Sequence, residues 1–314
     1  MMLGRTAAGL FWLARYLERA ENTTRLAEAG FRMALTRAES NSEEWRSVVT
    51  TAGCADAYLA KHEIFRSDKV MDFVLRDKEN PTSVLGALHA ARENARMTRT
   101  ALTREVWEAI NDAWMSVRDI LRRPVPERDL PEVLSLVRRQ GAQVRGAITG
   151  TMLRNDIYDF IQIGTLVERA DNTSRILDTK YYVLLPSSAS IGSSLDNVQW
   201  EMILRSASAE RSFYWLHGGT ASPIAIADFL IFDARLPRSL AFCYDMITEH
   251  LGRLKVEYQA TTPAHELAIR QENRLTALNI SLVFEEGLHE FLTGFMAENA
   301  AFSAQIEADY RFSE

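Results

Sequence analysis

The octapeptide Glu18-Arg19-Ala20-Glu21-Asn22-Thr23-Thr24-Arg25 returns 150 residues later as Glu168-Arg169-Ala170-Asp171-Asn172-Thr173-Ser174-Arg175, and this recurrence constrains the fold more than any other feature. At a shift of 155, Trp45 meets Trp200 and His62 meets His217. At a shift of 156, Asp72-Phe73 meets Asp228-Phe229, Asp77 meets Asp233, Pro81 meets Pro237 and Ser83 meets Ser239. Blocks kept in order at slowly growing shifts are what a duplication with small insertions leaves behind. The chain therefore reads as one domain, 1–314, made of two diverged tandem units, about 1–150 and 151–314, related by a pseudo-two-fold axis. The Ser-rich stretch 186–194 reads as a short linker.

Each repeat is centred on a long amphipathic helix. Leu10, Leu13, Leu17, Ala20 and Thr24 form one stripe at three- and four-residue spacing, and Phe160, Ile163, Val167, Ala170 and Ser174 repeat it. The same periodicity predicts further helices over 43–61, 84–101, 103–122, 131–149, 195–216, 238–255, 264–279 and 282–309. Proline-containing turns at 80–81, 124–126, 222–223, 236–237 and 262–263 separate them, and nothing reads as a sheet. The expected fold class is an all-α multi-helix bundle.

Composition narrows the function classes. A net charge of -6 argues against a protein that works by neutralising nucleic-acid phosphates. Two cysteines, Cys54 and Cys243, provide neither a disulfide framework nor a zinc pattern. Arg15, Glu18 and Arg19 interrupt the apolar run near the N-terminus, which reads as a helix start, and no segment approaches the roughly 20 apolar residues needed to span a bilayer. A cytoplasmic protein with no membrane contact and no cofactor is expected.

On a helix, Glu18, Asn22 and Arg25 share a narrow arc, as do Glu168, Asn172 and Arg175. Arg19 and Arg169 complete the two motifs. Seven residues span about 10.5 Å, too far for Glu18 to pair directly with Arg25. Antiparallel packing of the motif helices is predicted, with Glu18 facing Arg175, Glu168 facing Arg25, and Asn22 meeting Asn172 near the axis, because parallel packing would set like charges together. One reading makes this cluster a buried lock that fixes the register of the bundle. The other makes it a pocket in which Glu18 or Glu168 acts as acid or base and Arg25 or Arg175 holds an anionic substrate.

Other candidates are thinner. Arg92, Asn94 and Arg96 repeat the mixture of Arg, Glu and Asn, and either extend the network or make salt bridges on a wet face. His62 and His217 hold equivalent repeat positions, where packing at a helix end competes with function. Glu286 and His289 have the Glu-x-x-His spacing of di-iron bundles, yet no second such motif occurs, so no metal is expected. No Gly-rich phosphate loop, His-Glu-x-x-His or Gly-x-Ser-x-Gly element is present.

The opening Leu3-Gly4-Arg5-Thr6-Ala7, followed by Phe11-Trp12-Leu13-Ala14-Arg15-Tyr16-Leu17-Glu18-Arg19-Ala20-Glu21-Asn22, resembles the bacterial alpha-E domain family. The likeness extends through Ala91-Arg92-Glu93-Asn94-Ala95-Arg96, Val167 to Thr173, and Phe229 to Asp233 with Leu236-Pro237-Arg238-Ser239. The resemblance implies an all-helical protein whose genes neighbour those of a circularly permuted ATP-grasp protein, a transglutaminase-like protease and sometimes an Ntn-type hydrolase. It further implies an accessory or scaffold role in peptide synthesis or tagging, with the ATP-grasp ligase, the protease or a peptide substrate as partner. The alternative is an enzyme with an acid/base and anion-binding site between the repeats. The resemblance carries over the Glu-Arg and Asn positions as motif members without assigning them a catalytic role.

Overall fold

The computed structural model describes residues 2–36, 42–183, 194–219 and 221–313, and no strand occurs among them. The first half contains α1 (Gly4–Thr36), α2 (Ser42–Thr51), α3 (Ala55–Leu59), α4 (Ser67–Arg76), α5 (Val84–Met97), α6 (Arg104–Ile120) and α7 (Leu130–Thr151). The second contains α8 (Asp156–Val183), α9 (Ser194–Ser206), α10 (Glu210–His217), α11 (Pro223–Phe232), α12 (Leu240–Tyr258), α13 (Pro263–Ala277), α14 (Ile280–Glu286) and α15 (Leu288–Asp309). The proposed linker 186–194 lies, but for its last residue, outside the described residues.

Three predicted helices are each split in two, and each split has a backbone cause. Gly53 (φ 69°), Ser208 (φ 53°) and Gly287 (φ 104°) adopt the positive φ that interrupts a right-handed helix. They divide the segments predicted over 43–61, 195–216 and 282–309. Two helices escape the periodicity altogether. Pro223–Phe232 is almost uniformly apolar and buries Ile226, Ala227, Phe229, Leu230 and Ile231, so it has no polar face to generate a period. The ten-residue α4 is amphipathic but short. The proline turns act partly as helix starts: Ser222 and Thr262 cap α11 and α13 through side-chain bonds to the Ala225 and His265 amides, with Pro at the first turn.

The two motif helices, α1 and α8, pack along their length at the centre. α5 lies against α1, and α12 against α8. α7 covers another side of α1, while α15 covers α8. The core stripe of α1 is sealed, with Leu10, Phe11 and Leu13 fully buried, and Phe160, Ile163 and Val167 do the same in α8.

The orientation of the central pair corrects the antiparallel prediction. Gly164 approaches Phe11, Glu168 contacts Arg15, Arg169 contacts Glu18, and Leu26 lines one cavity with Ile176. The numbers rise together on both helices, so α1 and α8 run parallel. Charge does not forbid the parallel arrangement. Glu and Arg are consecutive and therefore about 100° apart on a helix, so parallel neighbours place each Glu opposite the other helix's Arg.

Candidate functional site

The Glu-Arg steps of the two helices interlock. Arg169 donates from Nε and Nη2 to the two carboxylate oxygens of Glu18 at 3.2 and 3.1 Å. In return, Arg19 donates from Nε and Nη2 to those of Glu168 at 2.5 and 2.9 Å. Fork-to-fork contacts of this kind are the strong, geometrically specific form of an ion pair. Each carboxylate also takes a second guanidinium: Arg238 reaches Glu18 at 2.9 Å, and Arg15 reaches Glu168 at 2.9 Å. The expected pairs of Glu18 with Arg175 and Glu168 with Arg25 do not form. Arg25 instead binds Glu21 one turn back on its own helix, and Arg175 binds Asp171 likewise at 2.7 Å.

Burial alone would raise the pKa of the Glu18 carboxyl, but Arg169 and Arg238 outweigh it and hold Glu18 well below the usual carboxylate range. Burial opposes Arg19 and Arg15 in the same way at Glu168, and the arginines again prevail. Both glutamates are thus ionised anions in the folded state. A carboxyl whose pKa is depressed by folding contributes stability that is complete above its unfolded pKa and lost as pH falls toward the folded one. Unfolding free energy is therefore expected to fall below pH 4.5, the ordinary glutamate value, by about 1.4 kcal/mol per pH unit for each carboxylate. Urea midpoints between pH 5 and 3 measure this, and a slope unchanged in both Glu18→Gln and Glu168→Gln would refute it.

The two sides of the interlock differ. Thr23 Oγ1 donates to the Thr82 carbonyl at 3.4 Å, and Thr173 Oγ1 donates to the Arg238 carbonyl at 2.8 Å, so the turn before α5 sits on α1 much as the turn before α12 sits on α8. Ser83 and Ser239 cap the helices that follow. At the corresponding turn positions, however, one side carries Arg238 and the other Thr82. Arg238 fills its side: it is 8% exposed, binds Asn22 Oδ1 at 2.9 Å and lies 3.5 Å from Glu21. Arg145 from α7 also pairs with Glu21, and Arg25 Nη1 donates to Ser208 Oγ.

On the other side, Thr82 and Gly53 line a cavity of about 220 Å³ together with Arg19, Glu168, Asp171 and Arg175. Asn22 and Asn172 both line it. Asn22 is 3% exposed, and its Nδ2 has no hydrogen-bond partner among the described residues. A buried donor without an acceptor is costly, so the cavity is chemically suited to a group that accepts hydrogen bonds.

The secondary candidates stand apart from this cluster. Arg92 Nε donates to Asn111 Oδ1 at 2.8 Å, tying α5 to α6, while Arg96 pairs with Glu93 on its own helix and Asn94 Nδ2 donates to the Ala90 carbonyl. His62 packs on Tyr58 and Phe73, and His217 on Phe213 and Phe229. His289 Nδ1 lies 2.5 Å from Asp178 Oδ1, linking α15 to α8. Sequence reasoning passed over Arg15, Glu21, Asp171, Arg145 and Arg238. The acidic residue three positions after each motif Glu was visible in both motif segments. Arg145 gave no signal at all.

A family model, Alpha-E, described as a predicted alpha-helical domain with a conserved ER motif, matches residues 2–310. Uncharacterized proteins of Mycobacterium tuberculosis, strains CDC 1551 / Oshkosh and H37Rv, and of Mycobacterium bovis are each 25% identical to the chain. The alignments cover 98% of this chain and 36% of each relative, so the chain spans about a third of the length of the curated relatives it matches. No solved structure matches. Among the described residues, no helix is long and apolar enough to cross a membrane. With the family model covering nearly the whole chain and the Glu-Arg steps at the centre of the fold, the chain belongs to the Alpha-E family.

Proposed function

We propose that the chain is a non-catalytic accessory or scaffold protein acting beside an ATP-grasp peptide ligase, with the Glu-Arg cluster locking two diverged tandem repeats about a pseudo-two-fold axis along α1 and α8. The observation that carries this reading is the saturation of both motif glutamates. Each is clamped by two guanidiniums and held ionised, whereas a general acid or base needs a pKa near the working pH and a free position from which to exchange a proton. The duplication is supported by the reciprocal Glu-Arg bonds, by the matched Thr23 and Thr173 anchors, and by the left-handed Gly53 and Ser208 at the ends of α2 and α9.

Two further observations favour an accessory role. The cavity beside Arg19 and Arg175 offers hydrogen-bond donors for a carboxylate, the group a peptide ligase activates, while its acidic residues are already paired. The mycobacterial relatives join the matched segment to nearly twice its length of other polypeptide, so there the unit is one part of a longer chain. The test mixes the purified chain with an ATP-grasp peptide ligase from the same source. Association at micromolar concentrations and a changed ligase rate are expected. Absence of both would sink the reading.

A further inference from the structure

A second cleft opens on the solvent side of the lock, where α1 meets α7, α9 and α10. Its volume is about 260 Å³, and five arginines line it: Arg25 and Arg32 from α1, Arg138 from α7, Arg205 from α9 and Arg211 from α10. Among the described residues, two acidic side chains share the lining, Glu28 and Glu210. We propose that this cleft is a binding site for a small phosphate-bearing anion of two or three negative charges.

The carboxylates that pair with these arginines do not balance their charge. Glu28 is shared between Arg32 at 2.9 Å and Arg138 at 3.1 Å, and Glu210 takes one Nη of Arg205 at 2.7 Å. The Nε atoms of Arg138 and Arg205 are buried with no hydrogen-bond partner among the described residues. Each guanidinium carries five N–H donors, so Arg138 and Arg205, which line the cleft, hold more donors than their single carboxylate contacts use. The Ser208 hydroxyl, held by Arg25 Nη1, adds a further polar group to the lining.

The lining carries three positive charges in excess of its own carboxylates, and two once Arg25 is counted with its partner Glu21, which matches a di- or trianion. Tetrahedral phosphate oxygens suit several converging planar forks better than a single carboxylate does. The excess continues inward. Behind Arg25 lie Arg145, Arg169 and Arg238 against Glu18 and Glu21, and burial together with Arg169 lowers the pKa of the Arg25 guanidinium.

Two of these arginines have no counterpart in the other repeat. At the repeat-equivalent positions, Arg205 and Arg211 are replaced by Thr50 and Asp56. The shared scaffold therefore does not require them, and an aspartate in place of Arg211 would repel the same ligand. The contrast between repeats rests on their alignment, but the site itself stands on the cleft and does not depend on a ligase partner.

The test is calorimetric titration of the full chain with pyrophosphate at low ionic strength. Saturable one-to-one binding is expected, weakened at least tenfold by Arg32→Gln with Arg211→Gln, both at the exposed rim. Arg104→Gln, 85% exposed on α6 and remote from the cleft, should leave affinity unchanged. Thermal melts of the same variants check folding, and Arg211→Gln alone serves if the double variant is impaired. Three outcomes overturn the proposal: no saturable binding at millimolar pyrophosphate, an equal loss in Arg104→Gln, or tighter binding of citrate than of pyrophosphate.

Discussion

Replacing Glu18 with Gln is expected to cost about 3–5 kcal/mol of unfolding free energy, the loss typical of removing one partner from a buried ion pair. Glu18 is 1% exposed at its side chain, and it is the shared anion of Arg169 and Arg238, which are 13% and 9% exposed. Without it, Arg169 loses its carboxylate partner, and Arg25, Arg145 and Arg238 are left around Glu21 alone. The neutral amide keeps the shape of the glutamate but not its charge, so the effect reports electrostatics rather than packing. Glu168→Gln should cost less, because its partner Arg19 is 24% exposed and can be rehydrated. A double-mutant cycle should give strong coupling between Glu18 and Arg169 and none between Glu18 and Arg175. Urea midpoints measure all of this. A Glu18→Gln loss below about 1 kcal/mol, the range of exposed pairs, would show that the cluster is not a lock.

The same cluster shows where reading the sequence succeeded and where it stopped. The stripes through Leu10, Leu13 and Leu17 and through Phe160, Ile163 and Val167 identified the two central helices, because burial of one helical face is written in the spacing of apolar residues. The identity of the interacting groups was also legible, since ionisable residues repeated in both halves on semi-buried faces must find partners. Their pairing was not. It depends on helix direction, and the consecutive Glu18-Arg19 step makes parallel neighbours complementary without any change in composition. Arg145 was invisible for another reason: it lies on a helix whose neighbouring Gly146 and Thr149 are exposed, so nothing in its local pattern separates it from a solvated arginine. Arg238 stood in a recognisable Leu-Pro-Arg-Ser turn, but that its side chain crosses to Glu18, 220 positions earlier in the chain, follows only from the packing of α12 against α8 and α8 against α1.

Gly164→Ala and Gly146→Ala should move stability in opposite directions. Both glycines lie in helices, where alanine gains roughly 1 kcal/mol of intrinsic propensity. A Cβ on Gly146 meets nothing within 4 Å, so that substitution should stabilise α7 by about 0.4–1 kcal/mol. A Cβ on Gly164 lies 3.2 Å from Phe11 Cα and 3.1 Å from its carbonyl carbon, with the carbonyl oxygen nearer still. These are backbone atoms and cannot swing away. Phe11 itself is fully buried, with its ring 5.8 Å from that of Trp12 and 5.5 Å from that of Phe312, so α1 cannot yield at that point without disturbing the core. Gly164→Ala must therefore push α8 from α1, at a net cost of about 1–3 kcal/mol. The separation acts one turn before Glu168, whose bonds to Arg15 and Arg19 span the same interface. Because those bonds are stretched in the Gly164→Ala background, Glu168→Gln should cost measurably less there than in the parent chain, whereas strictly additive losses would mean that the glycine contact and the ion-pair lock are independent.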